Sequence, residues 1–508
     1  AASLGSTDDP SGAGRIPISR ETSMALLDTS AFEGRIFTGT WEDGGGEPIV
    51  VRNPSDDAEL ASIGSASVEQ VRRAAHRAEE AQRQWYGLRP SERAAVLRRA
   101  GQVIEENHDE LADWVIRETG GIPAKTGLEV GNSAAECFEA AALPTHPHGQ
   151  WLPSDGAHWS FSRRRPSGVV TVITPFNFPL LLAMRSVAPA LATGNAVLLK
   201  PDPRTSVIGG FALARVFQEA GLPEGVLQVL PGGGEIGAAC VEADEVRVVS
   251  FTGSTAAGRK IGATASERLK RAHLELGGNN ATIVLPGADV DLAASAGATG
   301  SFFHQGQICM TTGRHIVHAD VHDEYVQRLT ERAEALAVGD PSTGQVHLGP
   351  IIDEGQLKSI DSIVQDSLAA GAAASTGADH DGLFYRPTVL TGVTADMPAW
   401  SQEIFGPVAP VHSVASVDEA VELANSSEYG LSISIMGPVG EAMKVADRIR
   451  SGKVHINEMT VADEANAPFG GVGDSGNGGR FGGPEANLEA FTEIQWVTVA
   501  PDEVQHPF

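Results

Sequence analysis

Between residues 168 and 275, continuous apolar runs alternate with helical stretches, and no other feature of this sequence constrains its fold as strongly. The runs are GVVTVITP, NAVLLKP, GVLQVLPG and VRVVSFTG. Short runs of this kind, separated by helices, are typical of parallel strands that are buried on both faces. Right-handed crossovers then predict an open, doubly wound α/β sheet. Ligands of such sheets bind at the carboxyl ends of the strands, so a site is expected at the turns TPFN, KPDP, PGGG and FTGST.

The rest of the chain also has the pattern of an α/β protein. An apolar stripe predicts a helix over 68–85, and two more helices are expected near 91–104 and 108–118. A second α/β region starts at HLELGGNNATIVLPG and extends to about residue 470, and the tail at 490–500 alternates like an edge strand. With 508 residues, 42% of them apolar and 20% charged, the chain is long enough for two or three globular domains.

The composition argues against several classes of function. The 37 basic and 65 acidic residues give a net charge of −28, which argues against nucleic acid or an anionic membrane as the main partner. No run of about 18 apolar residues predicts a membrane span, and no signal peptide is expected. The three cysteines cannot form a disulfide framework, and no cluster has the spacing of a metal site. We therefore expect a cytoplasmic protein without a bound metal.

Two turns at predicted strand ends have the residue types of a phosphate or ribose site. In FTGSTAAG, Gly253 ends a strand and Ser254 begins a helix, whose free N–H groups can bind a phosphate. The alternative is an ordinary turn with a serine cap. Lys200 ends the strand NAVLLKP and projects into the ligand crevice, or it is a solvated strand end. The GxGxxG fingerprint is absent from the expected place, so these turns alone do not establish a standard dinucleotide site.

Three side chains are candidates for the chemistry itself. Cys309 follows a Gln-Gly-Gln turn, where backbone N–H groups can stabilise a thiolate. Cys137 and Cys240 lie in alanine-rich helices instead and are interpreted as core residues. Glu275, in HLELGG, is a carboxylate among apolar groups, which raises its pKa and suits a base. Asn177, in TPFNFPL, can donate to an oxyanion, or it caps the helix that follows.

Each candidate has a plainer alternative. Cys309 is otherwise a small buried apolar residue, and Glu275 a surface carboxylate at a strand edge. His304 is a candidate partner that activates Cys309, although a packing or hydrogen-bonding role suits it better. Glu403, in SQEIFGPV, precedes a turn that would hold one carboxylate at the crevice.

Seven motifs, taken together, decide between these alternatives. TPFNFPL, LLKP, FTGST, LELGG, QGQIC, EIFGP and PFGG occur in this order, and over residues 30–500 the sequence resembles the aldehyde dehydrogenase superfamily. The stretches SRRRPSGVV, FHQGQICMTTGRH and VHINEMTVADEANAPFGG most resemble bacterial benzaldehyde dehydrogenases and the related vanillin and salicylaldehyde dehydrogenases. The resemblance implies a Rossmann-type cofactor domain, a second α/β catalytic domain and a β flap that bridges subunits.

The resemblance also implies roles for the catalytic residues. Cys309 would be the nucleophile, whose thiolate adds to the aldehyde carbon and forms a thiohemiacetal. Asn177 and the backbone N–H of Cys309 would bind the oxyanion, and hydride would leave for the nicotinamide. Glu275 would activate the water that hydrolyses the thioester. Covalent catalysis of this kind divides a difficult oxidation into two easier steps.

A cofactor site and a substrate pocket follow from the same resemblance. Lys200 would contact the adenosine ribose and Glu403 the nicotinamide ribose. The other expected cofactor-binding residues are Thr174, Pro175, Phe176, Pro203, Arg204, Gly233, Gly253, Ser254, Leu276, Gly277 and Phe405. The expected substrate pocket consists of Phe178, Leu182, Arg185, Ile308, Met310 and Phe469. This mainly apolar lining suits a flat aromatic ring, so benzaldehyde-type aldehydes are the predicted substrates.

One departure from the superfamily concerns the choice of cofactor. Many NAD-specific members carry a glutamate three residues after the lysine, and here that position is Pro203, followed by Arg204. Without an acid there, an arginine can help to bind a 2′-phosphate, although Asp202 acts in the opposite direction. We therefore predict that both NAD and NADP are used.

The expected domains are a flexible N-terminus (1–19), a cofactor-binding domain (20–143 and 161–275), a catalytic domain (276–468) and bridging or oligomerisation segments (144–160 and 469–508). The resemblance and the edge strand in the tail predict a homodimer or homotetramer. Two other functions stay open. One is a CoA-acylating aldehyde dehydrogenase, in which a thiol takes the acyl group, and the other is a non-catalytic ligand-binding relative.

Overall fold

A computed structural model describes residues 25–503. The flexible N-terminus predicted over 1–19 lies outside these residues. The strands are β1 (Arg35–Phe37), β2 (Trp41–Asp43), β3 (Ile49–Arg52), β4 (Glu59–Ile63), β5 (Gly149–Trp151), β6 (Trp159–Pro166), β7 (Val169–Ile173), β8 (Ala196–Lys200), β9 (Leu227–Val229), β10 (Val246–Thr252), β11 (Arg271–Glu275), β12 (Asn280–Val284), β13 (Thr312–His318), β14 (Ala373–Thr376), β15 (His380–Asp381), β16 (Phe384–Tyr385), β17 (Thr388–Thr391), β18 (Val408–Val414), β19 (Ser432–Met436), β20 (Lys453–Ile456) and β21 (Thr492–Val499).

The α-helices are α1 (Val68–Gly87), α2 (Pro90–Glu106), α3 (His108–Thr119), α4 (Pro123–Ala140), α5 (Pro179–Ala192), α6 (Ala212–Glu219), α7 (Gly234–Glu242), α8 (Thr255–Glu267), α9 (Val290–Phe302), α10 (His322–Glu334), α11 (Glu354–Ala369), α12 (Pro398–Ser401), α13 (Val417–Asn425), α14 (Val439–Ala446) and α15 (Pro484–Phe491). Within residues 25–503, no helix combines the length and the hydrophobicity that crossing a bilayer requires.

The first sheet has the strand order β11-β10-β7-β8-β9-β1-β2. The strands from β11 to β9 are parallel, and β1 and β2 extend this sheet as antiparallel neighbours. The chain passes from β7 to β8 and β9 on one side and then places β10 on the other side of β7. This reversal next to β7 creates a crevice at the carboxyl ends of β7 and β10, which is where such sheets bind ligands. The predicted doubly wound α/β sheet is confirmed.

The apolar runs form these strands because both faces of the sheet are covered by helices. Every residue of β7 and β8 is buried. Val170 and Val172 of β7 pack in a core with α2 to α6, whereas Val169 and Ile173 pack in a core with α1 and α7. A strand with both faces in a core has no polar face, so its sequence lacks alternation.

A second sheet follows directly after β11. Its order is β14-β17-β18-β13-β12-β19-β20, and its strands are parallel apart from the antiparallel β14. The short connection between β11 and β12 carries Gly277 and Gly278, and the loop of Cys309 leads into β13 in the middle of this sheet. The two sheets therefore approach each other at the predicted catalytic motifs.

A third sheet is antiparallel, with the order β21-β6-β5. It joins the two segments that were expected to bridge subunits, and the predicted boundary at residue 160 falls inside β6. Its surface exposes large apolar side chains: Trp151, Trp159, Ile494, Trp496 and Val499. The division of the chain into domains stays a prediction.

Candidate active site

The loop that carries Cys309 is fixed by its hydrogen bonds. Asn280 Nδ2, at the start of β12, donates to the Cys309 carbonyl at 2.8 Å. Gln305 Nε2 donates to two backbone carbonyls at 3.0 and 2.9 Å. Gly306 has a φ of +66°, and a Cβ at this position would lie 2.1 Å from the Gly406 carbonyl oxygen, so glycine is required there. Asn280 was not predicted as a site residue, although it lies only two residues after the LELGG motif.

Two cavities meet at Cys309. Their volumes are about 470 and 460 Å³, and both are lined by Asn177, Leu182 and Cys309. The second cavity lies at the carboxyl ends of β7, β8 and β10, in the crevice that the strand order creates. Molecules that occupy the two cavities would therefore meet at the thiol.

Asn177 presents its amide to the cysteine loop. Its buried side chain donates from Nδ2 to the Gln307 carbonyl at 2.9 Å. Phe178 is the N-cap residue of α5, and Asn177 makes no hydrogen bond to that helix end in the described part of the chain. The capping alternative for Asn177 is therefore not supported. An amide nitrogen has two N–H groups, so one is left for an oxyanion.

The Cys309 thiol lies in an environment that favours its neutral form. Burial and then the Glu403 carboxylate raise its pKa to about 12, against the effect of the Lys453 ammonium. Thiolate formation at neutral pH therefore requires a proton acceptor.

Glu275 provides a buried carboxylate at the end of β11. Neither of its carboxylate oxygens has a hydrogen-bond partner within residues 25–503. Burial raises its pKa well above the ordinary value, and the Arg480 guanidinium acts in the opposite direction. A carboxylate with a raised pKa is a stronger base than one in water.

The glycine turn between the two sheets is in close contact with Glu403 and with the backbone of Cys309. The backbone N–H of Gly278 donates to Glu403 Oε1 at 2.9 Å. A Cβ at Gly277 would lie 2.0 Å from Glu403 Oε2, and one at Gly278 would lie 2.5 Å from the Cys309 carbonyl oxygen. Burial raises the pKa of Glu403 to about 7, against the effect of the Gly278 N–H.

The second cavity has the donors that a phosphate and a ribose require. Lys200 lies buried at the end of β8, where burial lowers its pKa and Asp202 opposes that shift. Ser254 both caps α8, by accepting from the Ala257 N–H at 3.4 Å, and lines the cavity. The cap therefore does not exclude a ligand at this helix end.

Arg204 lies in the same cavity but is already paired. Its Nε and Nη2 donate to Asp202 at 2.9 Å each, and its Nη1 donates to Asp353 at 2.5 Å. Its guanidinium also lies 4.3 Å from the ring centre of Phe176. Asp353 was not predicted, because it is 149 residues away from Arg204 and lies in no recognised motif.

Most of the expected cofactor residues lie together. Those that line the second cavity are Thr174, Pro175, Phe176, Lys200, Arg204, Gly253, Ser254, Leu276, Gly277, Glu403 and Phe405. Pro203 and Gly233 do not line it; Pro203 lies in a short helix next to Asp202, and Gly233 caps α7. Gln356 and Ser359 line the cavity too and were not predicted.

The first cavity contains all six expected substrate-pocket residues: Phe178, Leu182, Arg185, Ile308, Met310 and Phe469. The apolar members pack in one cluster next to Cys309. Arg185 binds Glu136 at 2.9 Å and Asp463 at 2.6 Å. Lys453, which no motif indicated, binds Asp463 at 3.2 Å. The two cations at the pocket wall are thus paired with carboxylates, whereas Glu458 and Glu464, which also line this cavity, are exposed.

The other chemically interesting residues have packing roles. His304 is buried edge-on against Phe178, with 5.4 Å between ring centres, and makes no hydrogen bond to Cys309 among the described residues. Cys137 and Cys240 are fully buried in helices, as expected. Burial raises the pKa values of both thiols, and that of Cys240 reaches about 12.

A family model of known proteins matches residues 41–497, and its description is the aldehyde dehydrogenase family. The chain belongs to this family. The resemblance drawn from the seven motifs is therefore confirmed.

Individual members of the aldehyde dehydrogenase family are similar along nearly their whole length. A vanillin dehydrogenase of Amycolatopsis sp. is 57% identical over 96% of this chain and 100% of its own. A benzaldehyde dehydrogenase [NAD(+)] of Pseudomonas putida is 45% identical over 94% of this chain and 98% of its own. A crystal structure of a salicylaldehyde dehydrogenase from Pseudomonas putida G7, complexed with salicylaldehyde, has a TM-score of 0.90 at 36% identity, covering 94% and 99% of the two chains.

Proposed function

We propose that this enzyme oxidises an aromatic aldehyde to the carboxylic acid with NAD as the hydride acceptor. The observation that carries this proposal is the position of Cys309, where an apolar cavity meets a polar cavity at the carboxyl ends of parallel strands. One cavity suits an aromatic ring and the other a dinucleotide. The thiol lies where the two ligands would meet.

Cys309 would act as the nucleophile. Its thiol would first give up its proton, for which Glu275 is the candidate acceptor. The thiolate then forms a bond to the aldehyde carbon, and the carbonyl electron pair moves to oxygen and gives a thiohemiacetal. The second N–H of the Asn177 amide and the backbone N–H of Cys309 would bind this oxygen. Lys200 and Glu403 would hold NAD in the second cavity, where it would supply the acceptor for the hydride of that carbon, and a thioester would remain on Cys309.

Glu275 would act as the base that completes turnover. Its buried carboxylate takes a proton from water, and the resulting hydroxide attacks the thioester carbon and releases the acid and the thiol. The products balance as acid, reduced cofactor and one proton. A CoA-acylating enzyme would instead transfer the acyl group to a thiol, and a non-catalytic relative would not need a buried base. The Glu275 environment therefore favours hydrolysis over both alternatives.

NAD fits the second cavity. Gly277 leaves room for a ligand beside Glu403, and the N-terminus of α8 offers free N–H groups to a pyrophosphate. Lys200 and Glu403 would bind the two riboses. The Arg204 guanidinium is already paired with Asp202 and Asp353, so it is not free to bind the 2′-phosphate of NADP. This pairing favours NAD over NADP. The use of NADP stays a prediction of the sequence and is expected to be the weaker activity.

The aromatic preference rests on the lining of the first cavity. Phe178, Phe469 and Met310 can pack against a flat ring. The cations Arg185 and Lys453 are both paired with Asp463. The names of the relatives, which include vanillin, benzaldehyde and salicylaldehyde dehydrogenases, point to the same class of substrate.

We also propose that the enzyme is a homodimer or homotetramer. The edge strand β21 and the exposed tryptophans of the third sheet would be covered by a second subunit. The proposed bridging segments 144–160 and 469–508 contain these tryptophans. The proposed cofactor-binding domain (20–143 and 161–275) and catalytic domain (276–468) enclose the two cavities.

The deciding experiment compares initial rates of NAD reduction with benzaldehyde and with acetaldehyde, for the wild type and for Cys309→Ala. Turnover that disappears in the variant, with benzaldehyde far better than acetaldehyde, is the expected result. Equal specificity constants for the two aldehydes would contradict the aromatic preference, and a fully active variant would contradict the role of Cys309. Acid formed without CoA would exclude the acylating alternative.

A further inference from the structure

A fully buried ion pair lies behind the Asn177 segment, outside both cavities. Lys125 and Glu129 stand one turn apart on α4, and both side chains are 0% exposed. Lys125 Nζ donates to Glu129 Oε2. Removing two charges from water is costly, and their mutual attraction alone does not always compensate. The role of this ion pair is therefore sought in the contacts that Glu129 and Lys125 make with the start of α5 and with Phe178.

Glu129 caps a helix that has no cap of its own. Its Oε1 accepts from the backbone N–H of Leu180 at 2.9 Å and from that of Leu181 at 3.4 Å, in the first turn of α5. The N-cap residue Phe178 supplies no side-chain hydrogen bond to this helix. A carboxylate from α4 thus satisfies N–H groups that would otherwise be unpaired.

The same cluster also holds the Phe178 ring. Lys125 Nζ lies 4.5 Å from the centre of this ring, and His304 packs edge-on against it at 5.4 Å. Phe178 lines the first cavity next to Cys309. Both residues just before α5 are therefore held by buried contacts: Asn177 by its hydrogen bond to Gln307, and Phe178 by Lys125 and His304.

We propose that Glu129 is a positioning residue, which holds the Asn177–Phe178 segment for the aldehyde, with Lys125 as its countercharge. This inference rests on the proposed function, in which Asn177 binds the oxyanion. Within residues 25–503, the Asn177 side chain is hydrogen-bonded to the cysteine loop through Gln307, and the position of its backbone depends on where α5 begins. A displacement of about 1 Å in a catalytic group can lower a rate by about a hundredfold.

Two double variants test this role while avoiding an unpaired buried charge. Lys125→Met with Glu129→Gln keeps a carbonyl that accepts from Leu180, and kcat is expected within about threefold of the wild type. Lys125→Met with Glu129→Leu removes the acceptor, and kcat is expected to fall by about ten- to a hundredfold. The KM values for the aldehyde and for NAD should change by less than about threefold in both, because neither residue lines a cavity.

Hydrogen exchange gives a readout that does not depend on activity. The amides of Leu180 and Leu181 should exchange at least about tenfold faster in the leucine variant than in the glutamine variant. Unchanged exchange, or faster exchange with an unchanged kcat, would overturn the proposal. If the wild type does not oxidise aldehydes, the proposed function fails, while the exchange data still decide whether Glu129 holds this helix end.

Glu118 offers a matched control. It is another fully buried carboxylate, and it accepts from the backbone N–H groups of Val207 and Ile208 at 3.0 and 2.7 Å, at a helical segment that lines neither cavity. Glu118→Leu should lower thermal stability and leave kcat of the folded enzyme unchanged. An equal loss of kcat in this control would mean that losing any buried helix cap has this effect, and would overturn the specific role of Glu129.

Discussion

Freeing Arg204 from its two carboxylates should shift the enzyme towards NADP. The perturbation is Asp202→Asn together with Asp353→Asn. Asparagine can still accept the N–H groups that the two aspartates cap, those of Arg204 and Gln356, so the local fold should persist. The net charge of the three side chains changes from −1 to +1, because one guanidinium now faces no carboxylate.

The magnitude follows from the exposure of the two pairs. The side chains of Arg204 and Asp353 are 37% and 39% exposed, and that of Asp202 is 15% exposed. Partly exposed pairs contribute about 0.2–1 kcal/mol each, and the bidentate pair with Asp202 belongs near the upper end. Together they amount to about 1–2 kcal/mol, which corresponds to about a 5- to 30-fold increase in the NADP/NAD ratio of kcat/KM.

The assay measures kcat/KM for both cofactors with benzaldehyde, at low and at high salt. The gain should shrink at high salt, because the new contact with the 2′-phosphate is electrostatic. Asp379→Asn is the control, since Asp379 pairs with Arg386 at 3.5 Å on an exposed loop outside the second cavity. A ratio in the double variant that stays within about twofold of the wild type would refute the reasoning.

Four further predictions concern the base, a titrating contact, the assembly and the core. Glu275→Gln should lose at least about a hundredfold in kcat while the thioester accumulates, which mass spectrometry of the trapped enzyme would detect. The ionised fraction of Glu403 falls as the pH drops through its pKa of about 7, so KM for NAD should rise by up to about tenfold from pH 8 to pH 6, and Glu403→Gln should remove this dependence. Trp496→Glu, at a side chain 68% exposed on β21, should shift the assembly towards the monomer in light scattering. Trp85→Phe removes a buried N–H donor to the Leu191 carbonyl at 2.8 Å and should cost about 1–3 kcal/mol of unfolding free energy in urea titrations.

Local patterns in the sequence sufficed for the strands and for the turns that carry the site. The run VVTVI does not alternate between apolar and polar residues because both its faces enter a core, and its single hydroxyl, that of Thr171, donates to the Cys240 carbonyl at 3.1 Å. The turns after β7, β8 and β10 could be placed at one edge because parallel strands end on the same side. The residues of these turns are therefore the ones that the structure brings together.

The electrostatic partners could not be predicted in the same way. Arg204 and Asp353 are 149 residues apart, and Arg185, on α5, pairs with Asp463, which follows β20. Their pairing depends on how the two sheets approach each other, which no local pattern encodes. The expectation that Arg204 was free to bind a phosphate came from its position in the sequence alone, and the structure gives it two partners.

Burial raises the pKa of both central groups of this site, with opposite consequences for the proposed chemistry. For Cys309 it raises the pKa of the thiol, which lowers the population of the nucleophilic thiolate. For Glu275 it raises the pKa of the carboxyl group, which makes the carboxylate a better proton acceptor. Because both values are raised, the pKa of the Glu275 carboxyl lies closer to that of the Cys309 thiol than the pKa of an exposed acid would, so proton transfer from the thiol or from water to Glu275 is less unfavourable.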